Sequence, residues 1–120
     1  MKALVLIFAV MLTACAQTPP PPPDVRSQGK RVSGTSRLVP LQLAMCMSRN
    51  AESGGLMATT RPGRAVGYLE MLAFTLLQGG MNVIAATDIE PQGSGSTYTM
   101  FVTPKAEKPE GFAGLLVEDC

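Results

Sequence analysis

The chain has 120 residues, ten Lys/Arg against nine Asp/Glu, and neither histidine nor tryptophan. Without histidine, the commonest general base and the commonest metal ligand are both missing, and every Ser/His/Asp or Cys/His catalytic arrangement is excluded. A net charge of +1 provides no basic footprint for nucleic acid, and the length allows one small domain with a modest core.

In chain order, Met1 and Lys2 precede an apolar run from Ala3 to Leu12, then Thr13, Ala14 and Cys15. A short positive start, about ten apolar residues and a small-residue cleavage site make a secretory signal peptide. The run is too short to span a bilayer, which needs about 20 residues. Leu12-Thr13-Ala14-Cys15 resembles the lipobox of bacterial lipoproteins, in which cleavage falls just before the cysteine and that cysteine carries lipid. The resemblance implies residues 1–14 as signal peptide and Cys15 as the first mature residue, with a diacylglyceryl thioether and an amide-linked acyl chain. Two or more chains anchor stably where one binds only marginally. Ala16 is not the aspartate that commonly favours inner-membrane retention in enterobacterial lipoproteins, which directs the expectation to the periplasmic face of the outer membrane.

Residues 15–37 read as a lipidated tether. Pro19 to Pro23 favour polyproline II. Asp24 to Arg37 is Ser/Gly-rich, with Arg26, Lys30, Arg31 and Arg37 against the single acid Asp24, too polar to fold alone. At about 3.3 Å per residue the tether spans up to roughly 70 Å. Its +3 balance contrasts with five basic and eight acidic residues from Leu38 onward. Such a segment is either a solvated linker or a sticky one that meets anionic lipid, cell wall or an acidic partner.

The folded domain is expected over 38–120. Leu41, Leu43, Met45 and Met47 alternate with Gln42, Ala44, Cys46 and Ser48, a period of two that predicts a half-buried strand. Leu56 to Thr60 predicts a second. Arg64 to Gln78, with apolar residues at spacings of three and four and Gly79-Gly80 as its stop, predicts a helix buried on most of its surface or used for docking. Asn82–Ile89 and Thr97–Thr103 predict a hairpin across a Pro91–Ser96 turn. Lys105, Glu107, Lys108 and Glu110 mark a solvated loop, and Phe112–Val117 predicts a last strand. The order β-β-α-β-β-β gives an α+β class: a small, mostly antiparallel sheet with one helix packed on one face.

With Cys15 assigned to lipid, Cys46 and Cys120 remain, in a compartment that oxidises thiols. A Cys46–Cys120 disulfide is expected; the alternatives are two unpaired thiols or a cross-link between molecules. No catalytic or metal-binding constellation emerges. Asp88/Glu90 and Glu118/Asp119 read as charged pairs at strand ends. Gly93-Ser94-Gly95-Ser96 lacks the lysine and helix of a phosphate loop. Met45, Met47, Met57, Met71, Met81 and Met100 are spaced as core residues rather than copper ligands. No cofactor is expected beyond the covalent lipid on Cys15.

The stretch from Tyr68 to Ile89 and the strand after it resemble the periplasmic domain of the Rcs envelope-stress sensor lipoproteins, which also carry a lipobox, a proline-rich basic tether and disulfides. The same stretch is similar to the N0-type domains of secretins and of type IV secretion lipoproteins. Neither resemblance brings a functional residue with it. With the missing histidine, the absence of a catalytic constellation and the near-neutral charge, the expectation is a non-enzymatic lipoprotein that meets a periplasmic or outer-membrane protein, with no nucleic acid and no small-molecule substrate. The expected role is a scaffold or accessory subunit of an envelope-spanning secretion or conjugation assembly. The alternatives are a stress sensor, or a phage- or plasmid-encoded exclusion lipoprotein acting on an outer-membrane receptor.

Overall fold

The structure, a computed structural model, describes residues 25–120. The lipobox residues Leu12, Thr13, Ala14 and Cys15 and the proline run therefore lie outside the described residues. The elements in chain order are α1 (Val25–Gln28), β1 (Lys30–Ser36), α2 (Pro40–Ser53), β2 (Met57–Pro62), β3 (Leu69–Leu77), β4 (Gly80–Gln92), β5 (Gly95–Val102) and α3 (Pro109–Leu116). The five strands form one sheet in the order β1-β5-β4-β3-β2, every pair antiparallel. The fold is α+β on an antiparallel sheet, as the sequence predicts, but the described residues hold three helices where one is expected, α2 and α3 on one face and α1 on the other.

Several elements differ from their expected type. The segment Leu41–Met47 is helical, within α2, rather than a strand. Pro40 stands at its first turn, where a fixed φ and a missing N–H suit a helix start. Leu43, Ala44, Cys46, Met47 and Ala51 are its buried residues, at helical spacing. Leu41 and Met45, which complete the apparent alternation, face solvent. The reverse exchange occurs at 64–78, where β3 replaces the expected helix. β3 lies between β2 and β4, and from Met71 to Phe74 it is buried on both faces, so its apolar residues run almost continuously and mimic a helical stripe. The hairpin turn into β4 is Gln78-Gly79, and Gly80 opens β4; both glycines are at positive φ. The segment Phe112–Val117, expected as a strand, is mostly α3, again begun by a proline in the first turn.

The boundary at Leu38 also moves. Lys30–Ser36 pairs residue by residue with β5, from Lys30↔Val102 to Ser36↔Ser96, so Val25–Arg37 is part of the folded unit rather than tether. Only Val32 advertises this strand by its apolarity, and the ladder of β5 supplies what propensity does not. Gly34 fits because it has no side chain: a Cβ there would stand 2.4 Å from the Tyr98 hydroxyl oxygen.

The larger core joins α2 and α3 to one sheet face. Leu43 and Met47 of α2 and Leu116 of α3 pack with Met71, Ile89, Met100 and Val102. A second cluster, Leu72, Phe74 and Ala86, lies on the opposite face and is covered by Val25 and Val83. β4 carries a bulge: Ala73 pairs with Ala85 but Phe74 with Val83, leaving Ile84 extra. The Ile84 carbonyl accepts a hydrogen bond from the Thr103 N–H at 2.8 Å.

Cys46 and Cys120 are joined as a disulfide, with Cα atoms 5.9 Å apart. The bridge ties residue 120 to a helix, not to the strand expected at Cys46. Around it, Asn50 Nδ2 donates to the carbonyls of Leu116 and Glu118 at 2.9 and 3.0 Å, and Ser36 Oγ donates to the Cys120 carbonyl at 2.7 Å.

Candidate interaction surface

The sheet face opposite α2 is divided between charge and apolar surface. Register places Glu70 of β3 directly beside Asp88 of β4 and Arg61 of β2. Two like charges side by side repel across a ladder, and α1 lays a counter-charge over them. Arg26 donates hydrogen bonds to both Asp88 and Glu70, and Arg61 Nε donates to Glu70 as well. The Arg26 guanidinium also stands 5.5 Å from the centre of the Phe101 ring. Partial burial works against its charge. The hydrogen bond and charge of Asp88, followed by those of Glu70, outweigh that and raise its pKa above the ordinary arginine value.

Beside this network Arg64 Nη2 donates to Glu90 Oε1 at 2.8 Å and lies 5.7 Å from the Tyr68 ring centre. A cleft of about 410 Å³ opens here between the 63–68 loop and the charged rows. Ligand pockets of that size are mostly apolar with a few converging polar groups. This one is lined by guanidinium and carboxylate groups already engaged with one another, an arrangement that fastens α1 to the sheet. Asp88 and Glu90 lie in the last five residues of β4, and each is ion-paired, to Arg26 and Arg64. Among the described residues no group of three or more His, Cys, Asp or Glu is placed to hold a metal ion.

The other half of the face is apolar and open. Met57 lies beside Phe74, and Leu76 beside Met81, in the β2–β3 and β3–β4 registers. Leu76 is 64% exposed, Met81 49% and Met57 47%. Of the six methionines expected in the core, Met47, Met71 and Met100 are buried there, whereas Met45, Met57 and Met81 are exposed. Leu76 and Leu77, expected on a helix, stand at the end of the β3–β4 hairpin. The signal that could have located them is Gln78-Gly79-Gly80 between two apolar runs, which suits a tight hairpin as well as a helix stop.

Compared with family models, with curated proteins and with solved structures, the chain matches none. Of the residues singled out in the sequence, the structure brings Cys46 and Cys120 together; Leu12 to Cys15 are beyond the described residues. No helix among the described residues is long and apolar enough to cross a membrane.

Proposed function

We propose that this protein is a lipid-anchored, non-enzymatic lipoprotein of the bacterial envelope, held by Cys15 at the periplasmic face of the outer membrane. Its disulfide-closed domain serves as a scaffold or accessory subunit of an envelope-spanning secretion or conjugation assembly and binds a protein rather than a nucleic acid or small substrate. The observation that carries the reading is Leu12-Thr13-Ala14-Cys15, placed between an apolar run and a proline-rich segment. A disulfide between Cys46 and Cys120 suits an oxidising compartment and supports the same location. An exposed apolar group of Met57, Leu76 and Met81 gives the small domain a contact surface beyond its covalent anchor.

The test is to express the intact chain in a Gram-negative cell, separate inner and outer membranes, and weigh the mature N-terminal peptide. The expected result is outer-membrane fractionation and a triacylated Cys15, both lost in Cys15→Ser. Cross-linking in native cells then recovers secretion or conjugation components in fixed ratio. A soluble product with an unmodified cysteine overturns the anchor, and recovery without any such component overturns the scaffold role.

A further inference from the structure

We propose that the end of the β3–β4 hairpin, carrying Leu76 and Met81 with Met57 beside them, enters the surface of the bilayer in which Cys15 is anchored. The inference rests on the lipoprotein reading and deepens it by assigning the domain a second, non-covalent lipid contact. Three observations lead to it. From Met71 through Thr87 the chain contains no charged residue, so the end of the hairpin is free of the groups that most strongly resist leaving water, and its polar side chains are Thr75, Gln78 and Asn82 with the buried Thr87. Leu76, Met81 and Met57 are nevertheless exposed on this face, and Leu77, next in β3, is exposed on the other. Finally, Val25, where the described chain begins, packs on Leu72, Phe74 and Ala86 together with Val83, on the same sheet face.

The last point sets the distance. Nine residues lie between Cys15 and Val25, and the ten steps they make reach about 33 Å even fully extended. The lipid is therefore never far from this face, and a bilayer so close acts as a binding surface at high effective concentration. Electrostatics do not oppose the approach. Glu70 and Asp88, the acids nearest the apolar half, are both held by Arg26. Arg31, in the same cross-strand row as Leu72, is exposed and available to anionic headgroups. Apolar side chains in such contacts sit about 5–10 Å deep, at the headgroup and acyl boundary.

The absence of tryptophan makes the test direct. Single-tryptophan chains, Leu76→Trp, Met81→Trp and the reference Val66→Trp, are purified in lipidated form and reconstituted into phosphatidylethanolamine/phosphatidylglycerol vesicles with brominated acyl chains. Val66 is fully exposed, in the loop at the opposite end of β3. Emission from positions 76 and 81 is expected to shift to the blue and lose most of its intensity, while position 66 keeps the spectrum of a solvated indole. Leu76→Asp in the Met81→Trp chain should restore most of the lost intensity. Equal quenching at 66 and 76, or none at 76 and 81 while mass spectrometry shows lipid on Cys15, overturns the proposal and leaves the lipoprotein reading intact. Concentration-dependent association in detergent that Leu76→Asp abolishes would assign the patch to a second copy of the chain and equally overturn it. An unlipidated Cys15 overturns the lipoprotein reading itself, and this contact with it.

Discussion

Cys120 hangs from Cys46, one turn before Asn50, the residue that holds the carbonyls of Leu116 and Glu118. The bridge spans 74 residues of sequence, nearly the whole sheet and all of α3. Closing a loop of that size removes denatured-state entropy worth about 4 kcal/mol in the chain model, with engineered and native cases usually falling lower. The doubly substituted chain, Cys46→Ser with Cys120→Ser, should lose about 2–4 kcal/mol in urea unfolding. Adding reductant should do the same to the wild type and nothing to the variant.

Arg26 should matter to the N-terminal segment more than to the core. Arg26→Met keeps an apolar stem over Phe101 but leaves Glu70, only 14% exposed, with Arg61 alone. A cost of about 1–2 kcal/mol is expected, below that of a fully buried pair because solvent still reaches the site. Arg26→Lys should recover little, since one ammonium cannot present the planar fork that meets both acids. Hydrogen exchange provides the specific reading: amides of β1 should lose protection before those of β3 and β4.

Thr87 offers a gain. It is fully buried between Met71 and Met100 in neighbouring strands, and among the described residues its hydroxyl has no hydrogen-bond partner. Thr87→Val preserves the branched shape and removes a desolvated group, so stability should rise by about 1 kcal/mol. A fall in the urea midpoint would mean the hydroxyl is satisfied.

Glu110 should give the stability of α3 a weak acid dependence. Its own backbone N–H in the first turn of the helix, then the hydrogen bond and charge of Lys30, lower its pKa. A group whose folded pKa is depressed contributes fully above its unfolded value, about 4.3 for glutamate, and loses that contribution as pH falls through the lower folded value. The carboxylate is fully exposed, so the effect is small and salt-sensitive. Thermal midpoints of the wild type and Glu110→Gln should differ near neutrality and converge in acid.

What was legible in the sequence followed from where neighbours impose a single period. Thr97–Thr103 alternates because one side of β5 packs on α2 and α3, and it reads correctly as a strand. The Cys46–Cys120 pairing followed from counting cysteines. β3 misleads because Met71 and Ala73 face one core and Leu72 and Phe74 the other, which erases the alternation. α2 misleads in the opposite sense, since exposed Leu41 and Met45 insert apolar residues on its solvent face. β1 was hidden because its pairing is decided by Tyr98 and the β5 ladder some sixty residues away, which no local window contains. The hairpin end misleads for the same reason as β3: a helix stopped by Gly79-Gly80 and a strand turning at Gln78-Gly79 leave similar traces over so few residues.

The long-range pairing of β1 has a mechanical consequence. Residues 46–120 form a covalent ring, and Val25–Arg37 lies outside it, with α1 over the sheet face and β1 as an edge strand. A pull on the N-terminal side loads the Arg26 contacts first. It then unzips β1 from the Lys30 end, one antiparallel pair at a time, instead of shearing all seven pairs together. Freed as far as Pro40, those 15 residues lengthen the chain by up to about 50 Å while the ring stays shut. The peeled edge of β5 then presents unpaired backbone groups, a template for another strand. Tension alone would thus convert a closed domain into one with a strand-accepting seam, and slackening would close it again.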